Sequence, residues 1–306
     1  MSAVLNPSPV KSPAALLAGI GFLIAAVSLF ALLDTTVKYL STVIPVLMAL
    51  WARYTFQAVA VTATMLPRRG WALLRTRHPR FQLLRGVLLL LCSLFAFFAL
   101  KYMPVAEFTA MAMLTPLAVT AVSAWVFKED VSALRWALVV GGFAGALLIL
   151  RPGNTHLGWA VLLPICQVAA YTGFQLLASR MAKFEDSDTT LFYTGWVGCL
   201  LTSLAVPWVW LDVSSWQTIV FMLLAGTFGT VGHWFLILAF ARTPASTLMP
   251  FQYVQIAVAI CLGWLVFGHL PDAVGVAGIA LIALCGAAGA WLTARESRIS
   301  LDPQEV

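Results

Sequence analysis

Apolar residues in this chain gather in long runs, without the two-residue alternation of a strand. Ten runs stand out, over residues 14–40, 43–66, 82–101, 104–127, 132–150, 157–180, 188–210, 217–240, 244–267 and 273–293. A helix needs about 20 such residues to cross the hydrocarbon core of a bilayer. Helices are the expected form, because lipid offers backbone N–H and C=O groups no outside partner. Turn and charge signals fill the breaks: "LPRRGWALLRTRHPR" after the second run, "KED" after the fourth, "RPGNTH" after the fifth, "RMAKFEDSD" after the sixth and "GHLPD" after the ninth. Pro104 and Pro244 mark the shortest breaks, where proline fits the first turn of a new helix. The pattern predicts an all-α integral membrane protein of ten transmembrane helices.

Composition agrees. The chain is 61% apolar and 10% charged, against roughly 25% charged for a soluble domain. Cys92, Cys166, Cys199, Cys261 and Cys285 all sit inside apolar runs without metal-ligand spacing, so they read as small hydrophobes. The first run is too long for a signal-peptide core and lacks a clear small-x-small cleavage site, so it reads as a retained helix. Arg68, Arg69, Arg75, Arg77, Arg80 and Arg85 crowd the second break, which puts that loop in the cytoplasm. With ten crossings both termini are then cytoplasmic, in keeping with Lys11, Arg295 and Arg298. Nucleic-acid binding is the weaker reading of this basic cluster, and no nucleic-acid partner is expected.

The chain also repeats itself. At a constant offset of 140, Ala99 meets Ala239, Pro104 meets Pro244, and Val126-Phe127 meets Val266-Phe267. Ala133 then meets Ala273, and Ala137 meets Ala277. The expected organisation is a tail over 1–13, five-helix repeats over 14–153 and 154–293, and a tail over 294–306. Five is odd, so the second repeat enters the membrane inverted relative to the first. Inverted repeats are frequent in secondary transporters, which bind their solute near the midplane where the halves meet.

These residues resemble the drug/metabolite transporter superfamily, in particular its EamA-type members with ten helices in two inverted five-helix repeats. The likeness is carried by "DTTVKYL" at 34–40, "RYTFQ" in the second run, and the stretch 99–153 with Pro116, Glu129 and the closing "RPG". The second repeat departs from the pattern at His269, where a Glu is common, and at Ile256, where the mid-helix proline is lost. The resemblance implies transport of small metabolites across a bacterial inner membrane. Family substrates include amino acids, nucleotide-like compounds, riboflavin, S-adenosylmethionine and metallophores, in either direction.

Polar residues at membrane depth are the candidate site. An ionisable side chain there costs about 2.5–3.5 kcal/mol on insertion scales. With a rise of 1.5 Å per residue, Arg53 lies about 15 Å deep and Asp34 about 9 Å deep. Glu107 is a little shallower, and Lys38 can snorkel to the surface. Asp34, Arg53, Lys38 and Glu107 are expected to converge in the outer half. Two readings stay open: a structural ion pair from Arg53 to Asp34 or Glu107, or groups that bind substrate charge or relay a proton. Arg85 reads as a snorkelling anchor. The second repeat offers Tyr171 with Gln175, and Pro250, Gln252, Tyr253 and Gln255 in "PFQYVQ". Their alternative role is hydrogen bonding between helices. His233 is the third proton-coupling candidate beside Asp34 and Glu107, although a buried histidine is more often a neutral hydrogen-bonding group. Trp51 and Trp234 lie deep enough to stack on a solute ring, whereas Trp71, Trp136, Trp159, Trp208, Trp210 and Trp216 fit interfacial belts.

The sequence lacks GxxxxGKS/T, HExxH and GxSxG, so neither a built-in ATPase nor a hydrolase of those types is expected. No metal site or cofactor is expected. The reading is a multi-pass inner-membrane secondary transporter that moves an amino-acid-like, zwitterionic or cofactor-like solute by alternating access. The alternative is a polytopic membrane enzyme acting on a lipid or prenyl substrate, for which "FEDSD" at 184–188 is the one acidic loop.

Overall fold

The computed structural model describes residues 13–127, 132–150, 158–181, 185–242 and 248–299. Glu129, the "RPG" at 151–153, Pro244 and the tails at 1–12 and 300–306 fall outside the described residues. Among the described residues the secondary structure is helical, with no strand. The α-helices are α1 (Pro13–Val43), α2 (Val46–Arg69), α3 (Pro79–Tyr102), α4 (Val105–Ala112), α5 (Thr115–Phe127) and α6 (Ala133–Leu150). There follow α7 (Leu162–Met181), α8 (Ser187–Ala205), α9 (Trp216–Arg242), α10 (Val254–Phe267) and α11 (Ala273–Ile299). By length and composition α1, α2, α3, α8 and α9 can each cross a membrane, and five shorter apolar helices complete the set.

One expectation needs correcting. The fourth and ninth runs are not continuous helices. The fourth breaks between α4 and α5 at Met113 and Leu114, and the ninth begins with a 3-10 turn, Met249–Tyr253, before α10. Adding 140 to Met113 gives Tyr253, so both interruptions fall at equivalent places. Sequence chemistry accounts for the first. Pro116 has no N–H to give the Ala112 carbonyl four residues back, and the Thr115 hydroxyl donates to that carbonyl instead, at 2.8 Å.

Helix packing follows the same two-fold rule. α1 packs on α9 as α7 packs on α3, and α2 packs on α9 as α8 packs on α3. α1 meets α10 as α7 meets α4 and α5, while the pairs α2–α8, α4–α10 and α6–α11 each map onto themselves. In the last pair the backbones nearly touch. A Cβ on Gly278 would lie 2.7 Å from the Gly145 carbonyl oxygen, and one on Gly145 would lie 2.8 Å from that of Gly278. Small residues permit such close approach where no hydrophobic force drives helices together in lipid. The tryptophans expected at the interfaces face outward: Trp71, Trp136, Trp159, Trp208, Trp210 and Trp216 are all exposed.

Candidate functional site

Beside the break between α4 and α5 lies a cavity of about 140 Å³. Asp34 reaches it from α1, Arg53 from α2, Ser93 from α3, Gln167 and Tyr171 from α7, His233 from α9 and Gln255 from α10. Phe30, Phe97, Phe108 and Met113 add apolar and aromatic wall. Both repeats contribute, and the polar groups come from six of the ten crossings.

Arg53 is 4% exposed. Its Nη1 donates to the Ser93 hydroxyl at 2.7 Å, and its guanidinium carbon stands 5.0 Å from the Tyr54 ring centre and 5.8 Å from that of Phe97. Ring faces attract a desolvated guanidinium by up to about 2 kcal/mol, which offsets part of the cost of taking this charge out of water. Tyr54 in turn is anchored, its hydroxyl 3.1 Å from the Leu89 carbonyl and 3.0 Å from Ser93 Oγ. Asp34 accepts a long bond from Gln255 Nε2 at 3.5 Å. The acid and the base therefore share one cavity without a direct ion pair. Gln167 is 5% exposed and makes only a weak donation to Cys92 Sγ, at 3.6 Å.

Other expected residues lie elsewhere. Glu107 does not join Arg53: its carboxylate is 3.2 Å from His269 Nε2 at the predicted outer surface. The turn that presents His269 depends on Gly268, whose φ of 65° and ψ of 14° are left-handed, with Gly268 N–H bonded to Trp264 O and His269 N–H to Gly263 O. Lys38 does not snorkel. Its Nζ donates to the Leu100 and Met103 carbonyls at 3.0 and 2.9 Å, closing the C-terminus of α3. Asp34 and Lys38 thus have separate tasks, although they share a helix face. Arg85 also turns inward, donating to the Thr194 hydroxyl and lying 4.5 Å from the Phe174 ring centre.

Trp51 donates to Ser203 at 2.9 Å and packs edge-on against Trp210, at the rim of a separate apolar groove of about 750 Å³ between α2 and α9. That groove is larger than the polar cavity, but Asp212 and Thr55 are its chief polar residues. Recognition of a polar solute needs convergent polar groups, and these are in the smaller cavity. Trp234 is 52% exposed, stacks on Phe235 and lines a third, lateral cavity. Gln175 is exposed, whereas Tyr171 stacks on Phe174 and lines the polar cavity. Gln252 and Tyr253 sit in the 3-10 turn outside the cavity wall, where the Tyr253 hydroxyl reaches the Met113 carbonyl at 3.5 Å. Gln167 and Ser93 are cavity residues that the sequence reading missed. Gln167 had a signal, since it precedes Tyr171 by four and shares its face.

At the opposite end a cluster ties α2 and α3 to α8. Arg69 bridges Asp186 and Asp188, each at 2.6 Å. Glu185, its side chain 4% exposed, accepts from the backbone N–H groups of Arg77 and His78 and contacts His78 Nδ1, all at 3.0 Å. Burial pushes its carboxyl up, but the hydrogen bonds from His78, Thr76 and the two backbone groups together hold it below the ordinary value. Among the described residues no three His, Cys, Asp or Glu side chains gather as a metal site would require.

The EamA-like transporter family matches the chain twice, over residues 17–151 and 158–292. A riboflavin transporter of Rhizobium johnstonii is 30% identical over 278 residues, covering 88% of this chain and 90% of that protein. An S-adenosylmethionine uptake transporter of Rickettsia conorii is 23% identical, with 84% and 86% covered. A crystal structure superposes with a TM-score of 0.63 over 92% of this chain and 99% of the other at 20% identity, a likeness of fold. The chain belongs to the EamA-like transporter family and is a multi-pass membrane transporter, not an enzyme acting on lipid or prenyl substrates.

Proposed function

We propose that this transporter carries a small heteroaromatic metabolite across the inner membrane by alternating access, and that riboflavin is the first solute to test. One observation carries the reading: Asp34, Arg53, Gln167, Tyr171, His233 and Gln255 converge on one cavity beside an interrupted helix. Interrupted segments at corresponding places in two repeats point to a transport site. The solutes of the two named relatives share a chemistry, a flat heteroaromatic ring with hydrogen-bonding edges and a polar chain. Amide, hydroxyl and charged groups suit the edges, and Phe30, Phe97 and Phe108 suit the ring.

A cavity of about 140 Å³ is smaller than the roughly 300–1,000 Å³ of ordinary ligand sites. Binding therefore requires the helices to part, as alternating access does. Asp34 is the carboxylate of the cavity and the leading candidate to couple a proton, with His233 as the second. Glu107, paired with His269, suits closure of the outer end better than contact with solute. The arrangement is read as repeats over 14–153 and 154–293 with both tails cytoplasmic, supported by the arginine-rich second loop.

Purified protein in liposomes tests the function. Saturable riboflavin uptake that responds to an imposed proton gradient is the expected result. Uptake of S-adenosylmethionine in its place would redirect the solute, and absence of saturable uptake of either would overturn the reading.

A further inference from the structure

Buried polar atoms are nearly always hydrogen-bonded, and each exception asks for a reason. Among the described residues, two such unpartnered atoms belong to residues that line the polar cavity: Arg53 Nε and Gln167 Oε1. One is a donor and the other an acceptor. Both side chains are at least nine-tenths buried, at 4% and 5% exposure. Both are also held to adjacent residues of α3, Arg53 to Ser93 and Gln167 to Cys92. Arg53 and Gln167 thus line one small cavity, and each keeps bonding capacity to spare, a donor on the one and an acceptor on the other.

Neighbouring groups do not absorb that capacity. Gln255 is engaged with Asp34, and Tyr54 with Leu89 and Ser93. The Gln167 amide spends its N–H on a thiol, a poor acceptor, which leaves the carbonyl oxygen free. A leucine would pack there without an orphaned oxygen, so packing alone gives no reason for a glutamine.

We infer that Gln167 and Arg53 together read a lactam edge, the adjacent N–H and C=O of a heteroaromatic ring. Gln167 Oε1 accepts from the ring N–H as the helices part, and the Arg53 guanidinium donates to the ring carbonyl. Gln167 is the specificity-determining member, because it senses whether the ring nitrogen carries a hydrogen. This inference rests on the solute reading above and narrows it: solutes with a free ring N–H beside a carbonyl are accepted, and their N-alkyl derivatives are refused. Sites built around a substrate N–H discriminate strongly against analogues that lack it, since the protein acceptor is then left unpaired.

The test compares riboflavin with its imide-N-methyl derivative as competitors of labelled riboflavin uptake in liposomes. Wild-type protein is expected to prefer the unmodified flavin by at least roughly tenfold. Gln167→Leu should weaken riboflavin and bring the two flavins to near equality, whereas Gln167→Glu, which keeps an acceptor, should retain the preference. Gln167→Met replaces the leucine variant if that one does not fold, judged by size-exclusion profile. Equal competition by both flavins in wild-type protein would overturn the inference and leave riboflavin transport standing. A preference undiminished in Gln167→Leu or Gln167→Met would also overturn it, assigning discrimination to steric exclusion of the methyl group. Failure of wild-type protein to take up riboflavin at all would overturn the solute reading and this inference together.

Discussion

The hydroxyl of Tyr253 donates to the backbone carbonyl of Met113, 3.5 Å away and 140 positions earlier in the chain. The repeat offset is also 140, so these are equivalent residues of the two halves, meeting where the pseudo-two-fold axis passes. Both stand at helix interruptions, and Met113 also lines the polar cavity. The cavity therefore sits where broken helices of the two repeats touch. The site is asymmetric: its charges, Asp34 and Arg53, come from the first repeat, while its amides, Gln167 and Gln255, come from the second.

Helix packing away from the cavity gives the first prediction. Gly278→Ala puts a methyl group 2.7 Å from the Gly145 carbonyl oxygen, and overpacking of this kind costs about 1–3 kcal/mol. Gly21→Ala meets nothing within 4 Å. Thermal unfolding in detergent should show a lowered midpoint for the first and an unchanged or slightly raised one for the second.

Lys38 supplies the second. Removing its ammonium in Lys38→Met leaves the Leu100 and Met103 carbonyls without their donor. Hydrogen bonds to a charged group contribute about 1.5–3 kcal/mol. Denaturation should register that loss, while the KM for uptake in the folded fraction stays near the wild-type value, because Lys38 is outside the polar cavity.

Glu185 sets a pH dependence. Its carboxyl is held below the ordinary 4.5 in the folded protein, so its contribution is fully present above that ordinary value and is lost as pH falls through the lower folded one. Glu185→Gln should therefore unfold at a lower temperature than wild type at pH 7. The gap should narrow in acid, which a series of thermal scans across pH would reveal.

How much of this was legible in the sequence depends on what lipid makes visible. The crossings were legible, because apolar runs of the right length have few other uses, and the 140-residue offset announced the repeat. Asp34 and Arg53 were expected to converge because charge at that depth needs a reason, and both line the polar cavity. Partners distant in sequence were not. Lys38 looked like a snorkelling residue, since nothing local marks the α3 carbonyls 62 and 65 residues away. Gln175 was singled out and Gln167 overlooked, although both stand four from Tyr171. Each four-residue step turns a helix by about 40° beyond a full turn, and that drift carries Gln167 into the cavity and Gln175 out to the exposed side. Hydropathy cannot separate those faces, since lipid and core are both apolar.

The central claim is that the polar cavity holds the solute, and equilibrium riboflavin binding tests it most directly. Flavin fluorescence would be titrated against wild-type protein, Arg53→Ala and Asp34→Asn, with Trp234→Ala and Gln175→Ala as variants outside the cavity. Loss of a buried hydrogen bond to a charged group predicts weakening of roughly tenfold or more for the first two variants, with the other two unchanged. Unaltered binding by folded Arg53→Ala and Asp34→Asn, with loss in Trp234→Ala, would contradict the account and move the site to the lateral cavity.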